Sequence, residues 1–311
     1  MAHSTSGRWR LGLALALVAT LLWGTLPIAL KIVVRGMEPQ TVVFYRFLIA
    51  SLLLGVHLRR KGHIPSFKGT GAATLVLLAV AVIGCTGNNV VYLLGLQYVS
   101  PSAAQVVIQL APMFLLVGAV VLFKERFSKT QWIGFAVLLG GLLLFFNQRL
   151  PELAAGQGDY SAGLLLIVIS AVLWAGFGLA QKQLLNRYHS GSVLWTIYVA
   201  GCAGLLALAR PGQIGNLDAV QLLVLAYCGL NTLLGYGSFG EALAHWEASK
   251  VSAVVATTPL ITVGLMEVMA RLLPGYLEPE RLNLASVLGA VAVVAGSVVA
   301  ARGLPVRPRE S

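Results

Sequence analysis

Five ionisable side chains interrupt long apolar runs in this chain: Lys31, Arg46, Lys182, Glu241 and Glu267. Charge inside such a run is costly in lipid, so these groups must face a partner, a cavity or an interface. One reading makes them gates. Lys182 with Glu241 then forms an inner contact, and Lys31 or Arg46 with Glu267 an outer one, each closing a pathway in turn. The other reading is snorkelling, in which a lysine near a helix end simply reaches the headgroups. Lys31 and Lys182 fit both. Arg46 lies deeper and reads either as a functional pair with Glu267 or as an anchor bonding backbone carbonyls. Glu241 and Glu267 are also the candidate proton carriers.

Neutral polar residues between these charges mark a candidate binding site. Asn88, Asn89 and Tyr92 share one apolar run, and Gln105 and Gln109 lie four apart, hence on one helix face. Tyr236, Thr257 and Thr258 hold related places in the second half, with Asn231 and Ser238 nearby. Such side chains also bond helix to helix in membranes, for about 0.6 kcal/mol each. That reading suits Thr257, Thr258 and Ser238. Two carboxamides one turn apart are many groups to satisfy in lipid, so Gln105 and Gln109 are assigned to a cavity wall. Trp23 and Trp174 lie too deep for an interfacial belt and read as a stacking pocket or as packing between helices. Pro27, Pro112 and Pro259 are expected to kink or break their helices; the last two release carbonyls near Ile108 and Val255.

No enzyme constellation accompanies these residues. The sequence holds no nucleophile–base set, no Walker sequence, and no HExxH or GxSxG. The run Gly235-Tyr-Gly-Ser-Phe-Gly240 sits inside an apolar segment with no strand before it, so it is read as a packing surface and not as a nucleotide fingerprint. Cys85, Cys202 and Cys228 have no metal-ligand spacing and read as small core residues. His245 reads as interfacial, with pH sensing as its alternative. Neither metal nor cofactor is implied.

The elements that must position these groups follow from composition. Of 311 residues, 58% are hydrophobic and 11% charged, whereas a soluble domain carries about 25% charged residues. Mean hydropathy is +0.83. Lipid must cover this surface, so the bilayer is the first partner. The net charge of +11 would suggest nucleic acid in a soluble chain, but membrane proteins collect Lys and Arg in cytoplasmic loops, and no nucleic-acid partner is expected. The first apolar run is too long for a signal peptide and is taken as a span.

A membrane helix needs roughly 20 apolar residues. Ten spans result, near 11–34, 40–58, 70–96, 101–123, 130–147, 161–184, 192–209, 217–243, 250–273 and 284–302. With ten spans, about 15 of the 22 basic residues fall on one side and about six on the other. The positive-inside rule then puts both termini in the cytoplasm.

The halves match. Trp23 and Lys31 pair with Trp174 and Lys182; the stretch from Ser102 to Pro112 resembles that from Ser249 to Pro259; Gly134 and Gly141 echo Gly289 and Gly296. Five spans per copy is odd, so the second copy enters from the opposite face, an inverted-topology repeat of the kind found in secondary transporters.

Here the chain resembles the drug/metabolite transporter superfamily, specifically EamA-type ten-helix permeases. The matching stretches are Trp23-Gly24-Thr25 through Lys31, Tyr45-Arg46-Phe47, the run into Pro112, Glu125-Arg126-Phe127 and Gly134. The second half departs from this pattern at Arg271-Leu-Leu-Pro-Gly-Tyr276, so no role of the family glutamate at Glu125 is carried there. The resemblance implies a central site lined by spans one, three, four, six, eight and nine, and it points toward metabolite export.

The resulting expectation is an all-α integral membrane protein of ten transmembrane helices in two inverted five-helix repeats. Residues 1–147 and 161–302 form the repeats, 148–160 a linker and 303–311 a short cytoplasmic tail. It is expected to be a multi-pass protein of the cell (inner) membrane. It would export a small amphipathic metabolite bearing a carboxylate, such as an amino acid, by alternating access, with proton coupling or exchange. A membrane-embedded sensor or channel-like facilitator is the alternative, and a homodimer is left open.

Overall fold

The computed structural model describes residues 8–65, 70–123, 128–156 and 158–302, and these are helical throughout with no strand among them. Six helices, two of them a broken pair, form the first half: α1 (Trp9–Val33), α2 (Pro39–Lys61), α3 (Ala72–Tyr98), the pair α4 (Pro101–Val107) and α5 (Leu110–Phe123), and α6 (Lys129–Phe145). A short α7 (Leu150–Ala155) occupies the linker. The second half repeats the order with α8 (Asp159–Leu184), α9 (Ser190–Leu205), α10 (Ala219–His245), the broken pair α11 (Ala248–Val255) and α12 (Thr258–Leu272), and α13 (Leu284–Arg302). A 3-10 turn, Pro211–Asn216, leads into α10.

Among the described residues, seven stretches are long and apolar enough to cross a membrane: α1, α2, α3, α8, α10, Lys250–Leu272 and Leu284–Ala301. Pro101–Leu115, α6 and α9 are shorter apolar helices. Local chemistry fixes several starts. Ser128 with Gln131 and Asp218 with Gln221 form reciprocal capping boxes at α6 and α10. Pro39 opens α2, which Gly62 ends in the left-handed conformation (φ 67°).

The halves exchange partners when packed. α3 lies along α8 and, in the corresponding pairing, α10 lies along α1; likewise α5 packs on α8 and α12 on α1. α6 meets its own counterpart α13, and α2 meets α9. Each of these contacts joins one half to the other.

Small residues allow the approach. On α6, a Cβ added at Gly141 would stand 2.6 Å from the Val293 nitrogen and 2.9 Å from the Gly289 oxygen, so the backbones touch. Gly134 and Gly296 face one another in the same way. Gly140 points into open space and takes no part, and in the glycine run of α10 Gly235 packs on Trp23 while Gly237 touches nothing.

The prolines behave differently from a simple kink. α1 runs unbroken through Pro27, where a break is expected. Neighbouring helices satisfy carbonyls beside it: Asn231 Nδ2 donates to Leu22 O at 2.6 Å, and Thr262 Oγ1 donates to Gly24 O at 2.6 Å. Pro112 and Pro259 instead sit in the first turns of α5 and α12, just after real breaks at 108–109 and 256–257. The carbonyls they release are recovered locally. Ile108 O accepts the Ala111 N–H at 2.9 Å, and Val255 O accepts the Thr258 hydroxyl.

Candidate functional site

The two broken helices and their neighbours enclose a cavity of about 360 Å³, within the size range of small-molecule sites. α1 contributes Trp23, Leu26, Pro27 and Leu30; α3 contributes Asn88, Asn89 and Tyr92; α10 contributes Asn231, Thr232, Tyr236 and Phe239. Gln105, Gln109, Pro112, Trp174 and Thr258 complete much of the wall, and Arg46 reaches it from α2. Residues that sequence spacing scattered over both halves thus meet in one place. Thr257 stays off this wall and donates its hydroxyl to Val254 O at 2.6 Å.

One side of the cavity is aromatic. The Trp23 ring lies 5.5 Å from Tyr236, edge-on, and 5.3 Å from Phe239, and Phe177 meets Tyr236 edge-on behind them. These offset geometries suit the ring quadrupoles and leave faces for an apolar guest. Amides also line the cavity. Asn88 Nδ2 donates to Ser170 O at 2.9 Å and Asn89 Nδ2 to Cys85 O at 2.9 Å. Gln109 Nε2 donates to Ala256 O at 2.8 Å.

Arg46 is the one charged residue among those lining the cavity. It is 2% exposed. Its Nε donates to Thr232 Oγ1 at 3.1 Å, and Thr232 Oγ1 in turn donates to Cys228 O at 2.8 Å. Its Nη1 is buried without a hydrogen-bond partner. Burying an uncompensated charge costs several kcal/mol, roughly, even after relaxation. Thr232, Phe239 and Ser297 were not selected from sequence. Ser and Thr pass unnoticed in apolar runs, and the signal for Thr232 was only its place beside Asn231.

The residues expected to form the outer gate take other partners. Glu267 is engaged by Arg271 one turn on, at 2.8 Å and 3.0 Å, on an exposed face, and meets neither Lys31 nor Arg46. Arg46 bonds a side-chain hydroxyl on α10 and lies in the central cavity, where an outer cluster was expected. Glu241 lies 3.7 Å from His245 and is exposed, as is Lys182. Lys31 donates to the carbonyls of Leu96 (2.5 Å), Gln97 (3.1 Å) and Val99 (2.9 Å), closing the C-terminus of α3.

Lys31 borders a second, wider hollow of about 970 Å³, shared with Arg35, Arg149, Glu278, Glu280 and Arg281. The loop after α12 covers part of it. Glu280 Oε1 accepts the Ser102 backbone N–H at 3.2 Å, while its Oε2 is buried without a partner. Burial pushes the Glu280 carboxyl above the usual carboxylate range, against the opposing pull of its bonds to Ser102 and Ser100 and of Lys31. Nothing in the sequence singled this residue out. The motif stretch Glu125-Arg126-Phe127 and the tail 303–311 lie outside the described residues, as do Lys68 and Lys124.

Known proteins share this architecture. An E. coli K12 protein named "Uncharacterized inner membrane transporter YhbE" is 42% identical over 294 residues, covering 94% of this chain and 92% of its own. A Haemophilus influenzae protein named "Uncharacterized transporter" is 37% identical over 301 residues, covering 97% and 98% respectively. A solved crystal structure shares the fold with a TM-score of 0.62 at 18% identity, over 93% of this chain and 96% of that one. The family model of EamA-like transporters matches residues 10–147 and again 161–302, so each half carries one copy, and the chain, a multi-pass helical membrane protein, belongs to the EamA-like transporter family.

Proposed function

We propose that this protein is a carrier of small metabolites, working by alternating access through the central cavity. One observation carries the reading: a cavity of small-molecule size, set between the two halves and bordered by broken helices from both. Backbone breaks at membrane depth are tolerated where they line a cavity, and transporters of repeated architecture place their sites there.

The ten-span, inverted arrangement belongs to this reading. Seven long spans and three shorter apolar helices add to ten crossings, with five in each half. The exchange of partners between α3–α8 and α10–α1 supports a two-fold axis between the halves, and five crossings per half would place that axis in the membrane plane. Basic residues concentrated on one side support cytoplasmic termini in this reading. The printed name of the E. coli relative supports an inner-membrane location.

Rocking of one half against the other would expose the cavity to each side in turn. The family resemblance favours export. Coupling, in this reading, runs through protons at Glu241 or Glu267, or through exchange of one substrate for another. Replacing each glutamate by glutamine discriminates: proton coupling through either requires loss of the pH-gradient response in that variant.

The test begins with metabolite accumulation in cells with and without the protein, followed by counterflow of the candidate in proteoliposomes. Saturable counterflow is expected. Flux that grows linearly with concentration and shows no counterflow would identify a channel and end the carrier reading.

A further inference from the structure

We propose that Arg46 is the anchor for the carboxylate of the transported molecule, and that the cavity therefore selects small aromatic monocarboxylates over their amides and amines. The inference rests on the reading of this cavity as the transport site and names the class of its substrate.

Three observations converge on it. Among the described residues Arg46 is the one charge on the cavity wall, it is 2% exposed, and its Nη1 has no partner. Among the described residues no Asp or Glu lines the cavity, so an anionic occupant would supply the neutralising charge. A guanidinium presents its donors in a planar fork that matches a carboxylate.

The position also argues against a role dictated by the repeat. α2 begins at Pro39 and α9 at Ser190, which aligns Arg46 with Ile197, a buried aliphatic residue. A cation needed only to pack the two-fold fold would be expected in both copies. Arg46 is present in one, which leaves a single anion site in a nearly symmetric cavity.

The rest of the occupant is shaped by what surrounds it. Trp23, Tyr236 and Phe239 supply ring edges and faces within one cluster, suited to a flat apolar body. Asn231 is held through its Nδ2, which donates to Leu22 O and Tyr227 Oη, while its Oδ1 is buried without a partner. That oxygen is a spare acceptor beside the cavity, suited to an occupant carrying a hydroxyl or amino group. The Thr232 hydroxyl fixes the Arg46 plane from the neighbouring position.

The experiment measures equilibrium binding of radiolabelled benzoate, phenylacetate and indole-3-acetate to the full chain in lipid nanodiscs, beside the matching amides and amines. Each acid that binds is expected to do so at least about tenfold more tightly than its amide, with the amines weakest. Arg46→Gln should bring acid and amide to the same affinity, and Arg46→Lys should keep a reduced preference for the acid. The comparison of acid with amide on the unsubstituted protein needs no variant, so it decides even if Arg46→Gln fails to fold. Equal affinity of acid and amide, no binding of any acid at millimolar concentration, or an acid preference that survives in folded Arg46→Gln overturns the proposal. The same compounds in proteoliposomes separate the two claims. Acid binding without flux removes the transport reading and leaves the anion site; flux of neutral or cationic compounds without acid preference removes the anion site and leaves the carrier.

Discussion

Gln109, in the break between α4 and α5, donates its Nε2 to the carbonyl of Ala256, in the break between α11 and α12, at 2.8 Å. Each residue stands where its own helix has lost its regular bonds, and the two breaks correspond in the repeat. The contact joins the halves at the wall of the central cavity, so the irregular backbone of one copy is satisfied by a side chain of the other.

Replacing Gln109 with Leu should leave the Ala256 carbonyl buried and unpaired, at a cost of about 1–3 kcal/mol. Thermal unfolding of the purified protein checks this. An unchanged melting temperature would mean that water or another donor serves Ala256 and that the inter-repeat bond contributes nothing net.

Helix positions were legible because long apolar runs form helices: each predicted run overlaps a helix or broken pair, from α1 (Trp9–Val33) to α13 (Leu284–Arg302). The cavity wall was largely legible too, since Asn88, Asn89, Gln105 and Gln109 are expensive groups in apolar runs. Ionic partners were not. Glu267 and Arg271 are one turn apart, and this local pair outcompetes the long-range one inferred from matched depth. Arg46 was visible as a deep charge, but its partner Thr232 depends on how α2 crosses α10, which no spacing within either helix reveals. Glu280 was hidden for the opposite reason. An acidic, proline-bearing loop reads as solvated, and only tertiary structure folds it against Ser102.

The contact between α6 and α13 gives a paired prediction. Gly141→Ala should push α13 away, because the new Cβ would lie 2.6 Å from the Val293 nitrogen, and backbone cannot yield as a side-chain tip does. A loss of about 1–3 kcal/mol is expected. Gly140→Ala meets nothing within 4 Å and should be neutral or slightly stabilising, by up to about 1 kcal/mol from helix propensity. Folded yield and melting temperature of the two variants form the check, and equal behaviour would show that these helices do not pack this closely.

Lys31 separates anchor from gate. Its ammonium serves three carbonyls at the end of α3 and borders the wider hollow, apart from the central cavity. Lys31→Met should therefore lower thermal stability, by about 1–3 kcal/mol, while leaving the affinity of a cavity ligand unchanged. The reverse result, normal stability with altered transport, would restore the gating role.

Glu280 and Asp218 should give the protein opposing pH dependences. Burial raises the Glu280 carboxyl above 4.5, so the native state there holds a proton that the unfolded chain has already released. Stability from this group is complete below 4.5 and falls as pH rises from there through its raised value. Asp218 works the other way. The Tyr276 hydroxyl, at 2.6 Å, and the backbone N–H groups of Gln221 and Val220 hold its carboxyl below 3.8. Its contribution is present above 3.8 and is lost as pH falls through the lowered value. Glu280→Gln should therefore flatten the decline on the side above 4.5 and raise the melting temperature at neutral pH relative to the parent. Tyr276→Phe should weaken the protein above 3.8 and shrink the loss on acidification. Melting curves from pH 3 to 8 on the two variants test both signs, and a Glu280→Gln protein that keeps the parent's full decline above 4.5 would show that another group is responsible.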